Sequence, residues 1–542
     1  MLIDRKTNRI VLRLKTPEAV TSIIPKSKVF MHEGKQFVAV HHGLEETKVL
    51  RNIGIMAPSP ITYQYKWPGR FQPFKVQKEA AAYMTLHPRA FNLSDLGTGK
   101  TMATLWGYDY LRSLNMVKRA LVITPLSTLE MTWENEIYTH FPHLTAAVVY
   151  GSKETRLQLL GTKADIYLIN HDGLKVKGIV EYLKGRQDID LIVIDEIAQV
   201  GRNAGTDRWR ALNEVCNKQT KRRVWGLTGS PTPNAPTDVW AQCRLLVPGN
   251  VPPYFNRFRD TVMRQVNQFS WVPRAESTEI VYSVMQPAVR YSRDECVDLP
   301  PVMFTTRPVP LSPEQDKAYK SMLNTLCIQA AQGKITAANE AIKAQKLIQV
   351  ACGIVYDGSG GEAAFNAGPR IKALLEVIEQ SSAKVIVFVP FVSSLQMVAQ
   401  ELRFAHDKIN FTRHAVGGKG IDDKVEVVYG DVSKNERTRI FTAFQKEDYP
   451  RVIVAQPSAM SHGLTLTEAN TIVWYAPITS SEVFIQANAR ITRPGQKNKQ
   501  FIVMLEGTPV EKRYYARLKN KEKVQGVFLD MVKDYRVEVD TV

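Results

Sequence analysis

The chain has 542 residues, more than one hydrophobic core ordinarily serves, so three or more structural units are expected. Its composition, 44% hydrophobic and 23% charged, is that of a globular protein, and no apolar run reaches the roughly 18 residues that a membrane span needs. The net charge of +18 points to an anionic partner, with nucleic acid the first candidate.

The start, "MLIDRKTNRIVLRLK", interleaves charge with apolar residues and has no continuous signal-peptide core, so a cytoplasmic protein is expected. Residues 1–66 read as short strands ("RIVLRLK", "KQFVAVHH") and a helix ("LEETKVLRNIGI"), a small α+β domain. Residues 1–70 hold 12 Lys/Arg against 5 Asp/Glu, which makes this domain basic. "APSP" and "KWPGRFQPF" mark its end. From 67 to 250 short apolar runs ("ALVITPL", "ADIYLINH", "DLIVIDE", "RVWGLTGSP") alternate with helical stretches, the pattern of a parallel sheet covered on both faces. Residues 251–301 are irregular, aromatic and basic, and read as a linker or insertion. A helical stretch over 311–370 and a second strand-helix series ("KVIVFVPF", "KVEVVYGD", "RVIVAQPS", "TIVWYAP", "QFIVML") form a second lobe over 302–510, followed by a basic helical brace over 511–542. The fold class expected is α/β, with two parallel-sheet lobes. The five cysteines form no C-x-x-C pair and read as buried small residues. The "KQTKRR" run at 218–223 reads as a phosphate-facing or plain surface cluster.

Ligands of such sheets bind at the carboxyl ends of the strands, so the polar strand endings are where chemistry is expected. "SDLGTGKT" has the form of a phosphate loop, although Ser94 stands where the common motif has glycine. Gly97 and Gly99 allow the turns that aim backbone amides and a helix N-terminus at an anion. Lys100 would reach the β- and γ-phosphates of ATP, and Thr101 would hold Mg2+. "DLIVIDE" ends in Asp195-Glu196, where Asp195 would hold the ion through water and Glu196 would orient or deprotonate the attacking water.

These motifs, with those that follow in order over residues 70–510, resemble the Swi2/Snf2 branch of helicase superfamily 2. "SDLGTGKT" fits that branch's loop, in which the first glycine is replaced. The resemblance implies two RecA-like lobes, an ATP site lined by Asp95, Leu96, Gly97, Thr98, Gly99, Lys100, Thr101 and Gly463, and Gln77 in "FQPFKVQKEAA" as adenine reader. "LVITPLSTLEMTWENEI" matches the family's "P-x-S-L-x-x-x-W-x-x-E" at Pro125, Ser127, Leu129, Trp133 and Glu136. It implies a DNA strand against Thr124 and Pro125, with further DNA contacts at Asn170 and His171 in "YLINHDGL" and at Ser458. "GLTGSPTPN" implies coupling of hydrolysis to lobe movement through Thr228, Gly229 and Ser230. "QANARITRPGQ" implies catalytic Gln486, Arg490 and Arg493. At this spacing the two arginines would share a helix face, and their forks suit a phosphate in its transition state. "DEIA" departs from the usual "DEAH" at Ala198. "TPEAVTSIIPKSKVF" and the following "KQFVAV" in residues 1–66 resemble the DNA-binding module that precedes the motor in annealing-helicase relatives; the alternatives are an unrelated basic domain gripping duplex DNA and a purely structural packing role.

The implied function is an ATP-dependent translocase, monomeric, acting on double-stranded or branched DNA in a bacterial cell or phage-infected host. The alternatives are a strand-separating DNA or RNA helicase and a non-catalytic nucleic-acid-binding scaffold.

Overall fold

The computed structural model describes residues 1–217, 221–267, 270–292, 300–331, 337–356, 361–405, 425–460, 465–493 and 496–520; the side chains of Met131 and of residues 326–341 lie outside that description. Gly463 and most of the proposed C-terminal brace therefore fall outside the described residues. The chain divides into two compact units, Met1–Val297 and Asp298–Val542.

The first unit opens with four antiparallel strands, β1 (Leu2–Asp4), β2 (Arg9–Leu12), β3 (Lys28–His32) and β4 (Lys35–His41), ordered β1-β2-β4-β3. The period-two alternation puts Ile10, Leu12, Val38 and Val40 on one face, where they pack with Val20 and Leu50 from short helices.

A seven-stranded sheet follows. Its strands are β5 (Arg89–Asn92), β6 (Arg119–Thr124), β7 (Ala146–Val149), β8 (Ile166–Asn170), β9 (Ile189–Asp195) and β10 (Arg223–Leu227). After a hairpin of β11 (Met263–Asn267) and β12 (Ser270–Pro273), β13 (Ala288–Val289) returns to the edge. The order is β13-β5-β10-β9-β6-β8-β7, and every pairing is parallel. Adjacent residues of one strand enter opposite cores: Leu191 and Val193 join one cluster, Ile192 and Ile194 the other. That is why these runs are apolar throughout. The segment expected as a linker thus contributes a strand to the first sheet. Of the "KQTKRR" run, 218–220 lie outside the described residues and Lys221 is exposed, but Arg222 and Arg223 are buried rather than on the surface, and Arg222 donates to the carbonyls of Ile189, Val215, Leu183 and Arg186. Its guanidinium closes the open ends of several elements at once, so hydrogen bonding offsets the cost of burial.

The second unit has six parallel strands, β14 (Val302–Pro308), then after a small hairpin of β15 (Ile354–Tyr356) and β16 (Glu362–Ala364), β17 (Lys384–Phe388), β18 (Val425–Val428), β19 (Val452–Ala455), β20 (Ala469–Trp474) and β21 (Gln500–Glu506). The order is β14-β21-β20-β17-β19-β18. β14 was not expected; its residues are largely exposed and lack the apolar signature of the central strands. Two parallel-sheet lobes and a small antiparallel sheet are the expected fold class. Among the described residues, no helix is long and apolar enough to cross a membrane.

One buried ion pair ties the second unit together. Arg370, on the helix Gly368–Gln380, meets Glu511, on the helix Pro509–Lys519, through two bonds of 2.7 and 2.9 Å, and both side chains are buried. Arg370 also donates to the Tyr475 carbonyl at 2.6 Å, and Glu511 accepts from the Gly507 amide at 2.9 Å. Removing one partner leaves the other charge buried and uncompensated. Glu511→Gln is expected to destabilise the second unit by about 3–5 kcal/mol in chemical denaturation. A loss below about 1 kcal/mol, the level of an exposed pair, would show that the pair does not hold these helices.

Candidate functional site

The phosphate loop starts where β5 ends. Leu93 and Ser94 are buried, Gly97 and Gly99 take φ of +85° and +82°, and Lys100 opens a 14-residue helix, Lys100–Ser113. Both glycines are in the left-handed region that a side chain disfavours. The helix's first amides, Thr101 among them, have no partner within the helix, which makes its start an anion site. The Lys100 ammonium donates to the carbonyls of Ser94 at 2.8 Å and Asp95 at 3.1 Å, so it already lies over the loop. Gly229 covers the same loop: a Cβ there would lie 3.3 Å from Leu96 and 3.6 Å from the Lys100 Nζ. Its neighbour Thr228 is buried, donates its amide to the Asn92 carbonyl at 3.1 Å and accepts the Ser230 amide at 3.2 Å. The segment assigned to coupling is therefore built onto the loop.

Ser94 has a structural reason of its own. Its hydroxyl accepts the Tyr291 amide at 3.2 Å, and the next amide, Asp95, donates to the Tyr291 carbonyl at 3.0 Å. Tyr291 directly follows the β13 edge strand, so the residue that replaces glycine fastens the returning chain to the loop. Sequence reading missed this, because the partners lie 197 positions apart.

The acidic pair sits at the end of β9. Asp195 is buried; its Oδ2 accepts from the Thr124 hydroxyl at 2.9 Å and from the Trp133 indole N–H at 2.9 Å, and its Oδ1 accepts the Glu196 amide at 3.1 Å. Trp133 lies on a π-helical turn, Leu129–Glu134. It was recognised as a motif residue, but its role as a donor to Asp195 was not. Glu196 has φ +50°, ψ +49°, a left-handed conformation that costs a non-glycine residue on the order of 1 kcal/mol, and its side chain stays partly exposed. Ala198 is buried.

The residues assigned to DNA are placed differently from one another. Thr124 is fully buried and bonded to Asp195, and Pro125 is buried, while Leu126 and Ser127 beside them are exposed. Asn170 accepts from Arg156 at 3.2 Å. His171 donates Nε2–H to the Asp195 carbonyl at 2.9 Å, and burial pushes its pKa from 6.5 down to about 4. Each of these three side chains has an internal partner. Ser458, at the end of β19, is exposed. Gln77 is buried, donating to the Thr98 carbonyl at 3.1 Å and accepting the Phe74 amide at 3.1 Å, so it braces the loop.

In the second unit the helix Ser481–Asn488 stops before the arginines. Arg490 and Arg493 therefore do not share a helix face. The β-branched Ile491 and Thr492, and a proline after Arg493, oppose its continuation. Arg490 is buried, donating Nε–H to the Gln486 carbonyl at 2.9 Å, whereas Arg493 is partly exposed. Gln486 is buried and donates to Glu482 at 3.2 Å.

The donor set fits a magnesium nucleotide: paired glycines, a helix start and an ammonium suit phosphates, and an oriented carboxylate together with a partly exposed Thr101 hydroxyl suits a hard cation. Because His171 is held neutral, folding stability is fully present above pH 6.5 and is lost as pH falls toward about 4. His171→Gln is expected to remove about 2 kcal/mol of the stability that the wild type loses between roughly pH 7 and 5. Identical pH dependence of unfolding in the two proteins would refute this assignment.

Comparison with known proteins bears on the whole arrangement. The SNF2-related domain matches residues 90–352 and the helicase conserved C-terminal domain matches residues 369–495. Protein p41 of Acyrthosiphon pisum secondary endosymbiont phage 1 is 24% identical over 81% of this chain and 94% of its own length. The ISWI chromatin-remodeling complex ATPase ISW2 of Saccharomyces cerevisiae is 23% identical over 75% of this chain, which spans only 36% of that protein. The Sulfolobus solfataricus SWI2/SNF2 ATPase core solved with dsDNA is 22% identical, with 84% of this chain and 92% of that one covered at a TM-score of 0.39. With both domain matches in the order of the loop, the acidic pair and the arginine turn, the chain belongs to the SNF2-related ATPases of helicase superfamily 2.

Proposed function

We propose that the chain is an ATP-dependent translocase on double-stranded DNA, working as a monomer in the cytoplasm of a bacterial cell or phage-infected host and remodelling forks or branches or displacing bound proteins. The observation that carries this is that the loop, the Gly229 segment and the acidic pair follow the carboxyl ends of the neighbouring strands β5, β10 and β9, within a chain of net charge +18.

ATP with Mg2+ supplies the phosphoryl group whose transfer to water releases the free energy used. Lys100 neutralises phosphate charge once it leaves the Ser94 and Asp95 carbonyls. Thr101, and Asp195 through water, would hold the ion, and the Thr124 and Trp133 donors orient the Asp195 carboxylate for that task. The Glu196 carboxylate takes the proton of the attacking water. Arg490 and Arg493, with Gln486, stabilise transition-state charge from the second unit, which makes hydrolysis depend on domain movement. Thr228, Gly229 and Ser230 pass the state of the loop onward. DNA is held mainly through phosphates, so binding is salt-sensitive and largely independent of sequence.

Steady-state ATP hydrolysis with and without duplex DNA tests this. The wild type is expected to be stimulated by duplex, whereas Lys100→Ala and Arg490→Ala lose about 10³-fold or more in rate, on the scale of an arginine finger. Equal rates in all three proteins would dismiss the reading.

A further inference from the structure

The N-terminal sheet has a second face that its own core does not use. Ile10, Leu12, Val38 and Val40 face the helices, so their strand neighbours face the other way. On β3 and β4 the register pairs Phe30 with Phe37 and His32 with Lys35, and Lys28 lies two residues from Phe30 on the same side. Arg9, on β2, shares that side. All five residues of β3 are exposed. Phe30 is 40% exposed, and its ring lies 5.7 Å from that of Phe37 at an interplanar angle of 22°. A pair of stacked rings left open to water gains little for folding. Two cations, Lys28 and Lys35, flank the rings, Arg9 lies farther along the same face opposite His41 and Asp4, and the hairpin's one acidic residue, Glu33, sits in its turn 3.9 Å from His32.

We propose that this face is a stacking platform for single-stranded nucleic acid, with unpaired bases lying on Phe30 and Phe37 and the backbone phosphates on Lys28 and Lys35. The argument is geometric. A duplex hides the faces of its bases, so exposed rings on an open sheet offer it nothing, whereas every unpaired base has a face to stack. Flanking cations at strand spacing neutralise successive phosphates. Such a platform would hold the displaced or unpaired part of a branched substrate while the ATP site works on the duplex. It rests on the DNA-acting reading above but not on the ATP site.

The test is fluorescence anisotropy of the full chain with a labelled oligodeoxythymidine and with a labelled duplex, together with ATPase rates. Phe30→Ala/Phe37→Ala is expected to bind the single strand about 5- to 100-fold more weakly, the scale of losing base–ring stacking, with duplex affinity and basal hydrolysis unchanged. Lys28→Glu/Lys35→Glu, which leaves the rings and the core intact, is expected to weaken single-strand binding and flatten its salt dependence. Undiminished single-strand binding in both variants would overturn the proposal, as would equal losses for single strand and duplex. Conversion of a wild-type dimer into a monomer by the ring substitutions would also overturn it, assigning the face to self-association. Loss of hydrolysis in the wild type would instead count against the translocase reading alone.

Discussion

Asp195 is the residue around which the first unit's chemistry is organised. A carboxylate removed from water must be compensated, and here the compensation comes from three parts of the chain: the Thr124 hydroxyl at the end of β6, the Trp133 indole from the turn that follows, and the amide of Glu196. Its carbonyl takes the His171 N–H from the end of β8. One acidic residue thus gathers the carboxyl ends of β6, β8 and β9, its side chain binding the first and its carbonyl the second. The left-handed turn at Glu196 is tolerated because its neighbours are fixed, and the strain leaves that carboxylate partly exposed. A donor set held this firmly loses little freedom when an ion arrives, which is the physical content of preorganisation.

The phosphate loop meets this edge from the other side and is anchored twice. Gly229 allows the end of β10 to lie against it, and Ser94 bonds the chain returning from the hairpin region. Lys100 is held by the carbonyls of Ser94 and Asp95, the two residues that also grip Tyr291. The ammonium and the returning chain are thus fastened to the same two residues through different atoms.

Much of this was legible in the sequence. The central strands, apolar on both faces, announced two covered parallel sheets, and the loop and the acidic pair were readable because their chemistry is local: glycines, a lysine and adjacent carboxylates. What escaped depends on partners far along the chain. Trp133 reads as a motif position, but its N–H bond to Asp195 shows only in the structure. Ala288–Val289 is too short to announce a strand, yet it completes an edge. Arg222 and Arg223 look like surface charge because composition cannot show carbonyls converging on a guanidinium. Thr124, Asn170 and His171 carry the residue types of a nucleic-acid contact, and their bonds to Asp195 and Arg156 could not be read from that pattern. Arg490 and Arg493 have helical spacing in a stretch whose β-branched pair and proline end the helix.

The central claim is that hydrolysis at this site moves the protein along intact duplex DNA. Displacement of a third strand from a triplex in the presence of ATP measures that movement without requiring the duplex to open. The account predicts ATP-dependent release of the third strand, abolished by Glu196→Gln, with the underlying duplex left paired. Separation of the duplex strands without triplex displacement, or displacement that persists in Glu196→Gln, would contradict it.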